Sequence, residues 1–88
     1  MKSGQAKNIT STAVVNAHPC NLIGFYVNST NGGTIVIHDK ATAAANAVSG
    51  TITPAIGFHW FPAALGQGLY AVIGGTALNV TLFYEPQG

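Results

Sequence analysis

The chain has 88 residues, of which 6% are charged and 48% are hydrophobic, and its formal net charge is +1. An ordinary soluble domain carries about 25% charged residues. The length allows one domain, the apolar content excludes disorder, and three lysines without an arginine cannot form a patch that neutralises many phosphates, which argues against nucleic acid.

Residues 1–7 read as a flexible polar arm carrying Lys2 and Lys7, and residues 8–88 as a single β domain. The arm lacks the apolar core of a signal peptide. No apolar run is long enough to span a bilayer as a helix, so no membrane partner is expected. The first strand is expected over 8–16, where Ile9, Ser11, Ala13 and Val15 alternate with Thr10, Thr12 and Val14. His18-Pro19 ends it, because proline cannot supply a ladder donor. A second strand is expected over 20–28. Leu22, Gly24 and Tyr26 would face one side and Ile23, Phe25 and Val27 the other, a pattern for a strand that is central or covered on both faces.

The Asn- and Gly-rich stretch 28–33 is a turn signal. It leads into a third strand over 34–39, so the second and third strands read as a hairpin. Residues 40–48 are the one place for a short helical turn, though a small-residue loop fits as well. A fourth strand is expected over 49–54, ended by Pro54. Residues 55–67 read as the least regular segment, with Phe58, Trp60 and Phe61 concentrated there and Pro62 limiting pairing. A fifth strand follows over 68–74. Gly74-Gly75 then turns into a sixth over 77–85, where Leu78, Val80, Leu82 and Tyr84 alternate with Asn79, Thr81 and Phe83. About six short strands with regular turns imply an all-β fold, a compact antiparallel β-sandwich or barrel.

Little in the chain carries chemistry. His18, His38 and His59 lie in three segments and make no zinc-site spacing, so no metal is expected. His38-Asp39 resembles a base beside an orienting carboxylate, but adjacent strand residues point to opposite faces. Asp39 and Glu85 are the only acids, and no GxSxG elbow is present, so neither catalysis nor a cofactor is expected. The paired glycines near 66–68 and 74–75 read as turns, because neither pair opens a helix. Cys20, the only cysteine, excludes an intrachain disulfide. It reads as a buried small hydrophobe in a reducing compartment. Asn8-Ile9-Thr10, Asn28-Ser29-Thr30 and Asn79-Val80-Thr81 match the glycosylation acceptor pattern and read as chance matches. Phe58, Trp60, Phe61 and Tyr70 are candidates for core or interface packing, or for stacking on a sugar. No charge falls between Asn8 and His38 or between Ala41 and Tyr84, which implies a surface covered by copies of the chain or by another protein.

The runs 33–39 (GTIVIHD), 50–54 (GTITP), 66–75 (GQGLYAVIGG) and 78–84 (LNVTLFY) resemble the small β-sandwich virion proteins of tailed bacteriophages, including capsid decoration (cement) proteins. The resemblance is one of pattern over about residues 9–85. It implies a homotrimer on the outer capsid, bound to the major capsid (coat) protein and made in the host cytoplasm. Lys2, Lys7, Phe58, Trp60 and Phe61 would be the partner-contact residues. A carbohydrate-binding or adhesin module, or another small tail, fibre or adaptor component, are the alternatives.

Overall fold

The structure, a computed structural model, describes residues 5–30, 32–40, 47–75 and 78–86. Seven strands form two antiparallel sheets packed as a β-sandwich: β1 (Gln5–Ile9), β2 (Ala13–Asn16), β3 (Cys20–Ser29), β4 (Thr34–His38), β5 (Gly57–Leu65), β6 (Leu69–Gly74) and β7 (Asn79–Pro86). Sheet A has the order β1-β7-β3-β5, and sheet B the order β2-β6-β4. Period-2 alternation turns one face of each strand inward. Leu22, Phe25, Val27, Leu65, Val80 and Leu82 from sheet A meet Val15, Ile35, Ile37, Leu69 and Ala71 from sheet B in one buried cluster. Burial of such side chains stabilises by roughly 1.5–3 kcal/mol each.

Several elements depart from the sequence expectation. The expected strand over 8–16 is two strands in different sheets. Gln5, Ala6 and Lys7, placed in the arm by sequence, pair with Tyr84, Phe83 and Leu82 as the start of β1. The chain then turns at 10–12 and enters sheet B. Thr12 holds this corner, its hydroxyl accepting from the Ile73 amide at 3.0 Å and donating to the Ile73 carbonyl at 3.4 Å. The expected hairpin between the second and third strands is also absent, because β3 and β4 belong to opposite sheets. Their connection crosses the sandwich, with Gly32 at φ 76°. Gly75, also at φ 76°, packs against that crossover, and a Cβ there would lie 3.1 Å from the Gly32 carbonyl oxygen. Only glycine suits both demands.

Residues 49–54 do not form a strand. Ile52 of this segment, and Ala47 just before it, run beside β4 through isolated bridges to Ile35 and His38 and cover part of that sheet edge. Conversely, most of the segment read as least regular, 55–67, is the nine-residue strand β5. Proline is compatible with it because β5 is an edge strand, and Pro62 lies outside the paired residues. Of the residues read as a possible helical turn, 40–48, positions 41–46 lie outside the described residues, as does Lys2.

Candidate functional site

The alternation of β5 divides the aromatic cluster. His59, Phe61, Ala63 and Leu65 face inward, while Phe58, Trp60, Pro62 and Ala64 face outward. Phe61 therefore packs against the core, whereas Trp60 is 69% exposed and Phe58 49%. The cluster expected from sequence to share one role is split between two faces of one strand. Tyr26 on β3, 42% exposed, and Phe83 on β7, half-buried, extend the outward aromatics across sheet A. Phe58 stands 6.5 Å from Trp60 and 6.0 Å from Phe83 between ring centroids, at tilts of 46° and 56°. These are ordinary favourable aromatic geometries.

Gly24 makes this arrangement possible. A Cβ there would meet the His59 carbonyl oxygen and would lie 2.9 Å from Cζ of Phe58. The glycine thus leaves the space over which the Phe58 ring lies, an aromatic side chain covering a strand glycine. Next to it the sheet fans out. Between matched positions β7 advances from Tyr84 to Phe83, β3 from Leu22 to Gly24, and β5 from Ala63 to Trp60. The extra residue on β3 is Ile23, a β-bulge that reverses the facing of everything after it. Leu22 therefore shares the core with Phe25 and Val27, and Tyr26 faces out, which corrects the expected facing.

Ile23 separates two shallow hollows on the outer face of sheet A. One, of about 420 Å³, is lined by Gln5, Ala6, Tyr26, Phe58 and Phe83 as well as Ile23. The other, of about 380 Å³, lies between Trp60 and Pro62 on one side and Asn21 and Glu85 on the other. Beyond Tyr26 the same face becomes polar. The Asn8 amide donates to the side-chain oxygens of Asn79 at 2.7 Å and Thr81 at 3.1 Å, and to the Val80 carbonyl at 3.2 Å. The Asn28 amide donates to Asn79 at 3.3 Å and Thr81 at 3.1 Å. Thr81 is the cross-strand partner of Tyr26, so the amide ladder adjoins the aromatic patch. From the sequence, Asn8 and Asn28 were read as chance acceptor matches, and Asn79 as such a match on the polar face of the last strand. Their period-2 places on paired strands were the missed signal.

The remaining polar groups are used within the fold. Lys7 reaches away from this face and donates to the Val14 carbonyl at 3.2 Å. Asp39 accepts from the backbone amides of Gly66 at 3.2 Å, Gln67 at 2.8 Å and Gly68 at 3.4 Å, fastening the β5–β6 turn to the end of β4. Lys40 donates to Gln67 Oε1 at 3.1 Å in the same place. His59 donates from Nε2 to the Ala55 carbonyl at 2.7 Å, and its ring lies 5.2 Å from Phe25. His38 is 8% exposed and lies edge-on to Tyr70, and its Nδ1 has no hydrogen-bond partner among the described residues. Asp39 is committed to the turn, so the His38-Asp39 pair does not form a base and its orienter. No group of histidine, cysteine or acidic side chains among the described residues is placed to hold a metal. Cys20 is fully buried. Burial pushes its thiol pKa up, a hydrogen bond with Asn16 opposes this, and the charge of Asp39 adds to the rise.

No helix among the described residues is long and apolar enough to cross a membrane. No protein-family model, no curated protein and no solved structure matches this chain.

Proposed function

We propose that the protein is a structural virion component, a capsid decoration protein that binds the outer surface of a tailed-phage head and stabilises it by bridging coat subunits. The observation that carries this reading is the disposal of charge. Among the described residues Lys7, Asp39 and Lys40 each hydrogen-bond within the chain, while Glu85 lines the outer hollow beside Trp60. What faces out on the two sheets is mainly apolar and neutral-polar: Tyr26, Phe58 and Trp60 on sheet A, and the half-buried Val14, Val36 and Val72 on sheet B. Such a surface favours packing against other protein, where apolar contact and neutral hydrogen bonds dominate. The sequence resemblance supplies the kind of particle, and the major capsid protein is the partner it implies. Copies of the chain, arranged as a homotrimer, would give each unit several points of attachment, so each contact needs only modest affinity.

The test has two parts. Light scattering on a sizing column, across a concentration series, measures the solution mass, and co-sedimentation with expanded heads of the cognate phage measures attachment. A trimer that co-sediments at saturable stoichiometry and raises the temperature of head disruption is the expected result. A soluble monomer at every concentration that never co-sediments would overturn the proposal.

A further inference from the structure

We propose that the outer face of sheet A is a recognition site for a neutral carbohydrate, centred on Trp60 and the hollow it shares with Asn21 and Glu85. The site draws on the same outward residues of sheet A, Tyr26, Phe58 and Trp60, that the assembly reading counts among its packing surface, so the experiment below separates sugar from protein as the occupant of this face. A pyranose presents two kinds of surface, an apolar face of C–H groups and a rim of hydroxyls. It therefore needs a flat aromatic ring beside neutral or acceptor groups. Trp60 supplies the ring, 69% exposed and steadied by Phe58 at 6.5 Å. Asn21 and Glu85 line the opposite side of the same shallow hollow of about 380 Å³. Across Ile23, the second hollow with Tyr26 and Phe58 repeats the arrangement, and the amide ladder of Asn8, Asn28, Asn79 and Thr81 continues it. Two aromatic-walled hollows on one sheet face suit adjacent sugars of an oligosaccharide.

Charge sets the class of sugar. The described lysines lie elsewhere, Lys7 on the Val14 carbonyl and Lys40 on Gln67, so no described cation faces these hollows. Glu85 places an acid there instead. Neutral hexoses and N-acetylhexosamines fit, and sialylated, sulfated or uronic sugars are disfavoured by like charge.

Trp60 is the only tryptophan, so its fluorescence reports on this site alone. The probes are methyl glycosides of glucose, galactose, mannose and N-acetylglucosamine, their β-linked oligosaccharides, and a glycan array that includes acidic members. The expected result is a saturable change in Trp60 emission with a neutral sugar, insensitive to added salt and tighter for the oligosaccharide. By calorimetry, Trp60→Ala should weaken binding at least about tenfold, and Trp60→Tyr should retain most of it. Asn21→Ala and Glu85→Gln should each weaken it several-fold with the circular dichroism of the sheets unchanged. A blank array and no change in emission up to about 10 mM sugar would overturn the inference, because that sets the affinity below any useful stacking site. Binding that survives Trp60→Ala would overturn it equally. If Trp60→Ala abolishes attachment to heads while the array stays blank, the face is a protein contact and the sugar site falls, with the assembly reading intact.

Discussion

The ring of Phe58 lies where the side chain of residue 24 would be, and Gly24 is the only residue type that admits it. A Cβ at that position would come within 2.9 Å of Phe58 Cζ and would strike the His59 carbonyl oxygen on the neighbouring strand. The ring can swing aside, but the β5 backbone cannot move without disturbing the pairing of Phe25 with His59. Gly24→Ala is expected to destabilise the fold by about 1–3 kcal/mol, the usual range for forced overpacking. Urea unfolding followed by circular dichroism measures it. A Gly24→Ala protein as stable as the parent would mean that β3 and β5 are not held at this spacing.

The inward and outward halves of the aromatic cluster should differ sharply when truncated. Phe25 is fully buried, and Phe25→Ala should cost about 3–5 kcal/mol through lost burial and the cavity left behind. Trp60→Ala removes a larger side chain from an exposed position and should change stability by no more than about 0.5 kcal/mol. Denaturation midpoints of the two variants, measured side by side, decide the matter. Equal losses would place Trp60 in a core, contrary to its outward position on β5.

Asp39 is expected to be a structural residue. Its carboxylate collects three successive backbone amides of the β5–β6 turn, from Gly66 to Gly68. Asp39→Ala leaves those donors without their acceptor and should cost about 1–3 kcal/mol. Amide hydrogen exchange at 66–68 should accelerate more than exchange in β7, which has no contact with the carboxylate through these bonds. Uniform acceleration along the chain would show instead that the turn opens only with global unfolding.

Cys20 gives a dependence on alkaline pH with a definite sign. Burial is the main cause of its raised pKa, so the folded value lies above the ordinary 9.0. Below pH 9 the thiol is protonated in both states and contributes no slope. Above it the unfolded thiol ionises first, so stability falls as pH rises toward the folded value. Cys20→Ala should lose that part of the slope, which unfolding curves collected between pH 8 and 11 would show. Native protein should also react with iodoacetamide far more slowly than protein in denaturant. Equal rates would contradict the burial of the thiol.

The sequence was most readable where alternation met an ordinary sheet. Leu78, Val80, Leu82 and Tyr84 are all buried, as their spacing over 77–85 indicated. β5 was illegible for a physical reason: Pro62 argues against a strand only where a neighbour needs its amide, and an edge strand has a side that needs none. Once β5 is known to be a strand, its parity alone separates Phe58 and Trp60 from Phe61. The facing of β3 was lost to a bulge, since one extra residue at Ile23 exchanges the two faces, and the adjoining Gly24 was the only local sign of it. Sheet membership was hidden for a different reason. A glycine-rich turn after β3 serves a hairpin and a crossing between sheets equally well, and the choice is made by the core that β4 must reach.

The pairing of Gln5 with Tyr84 puts both extremities of the described fold at one corner of sheet A. Gln5 lies on the edge strand β1, and Pro86 ends β7 beside it. The strand bearing Trp60 forms the opposite edge, with β7 and β3 between them. A label placed next to Gln5 or Pro86 would stand beside the aromatic face, since Gln5 lines the hollow with Phe58 and Glu85 the hollow with Trp60. A short peptide joining the two ends would bridge neighbouring strands, which makes the fold a natural subject for circular permutation.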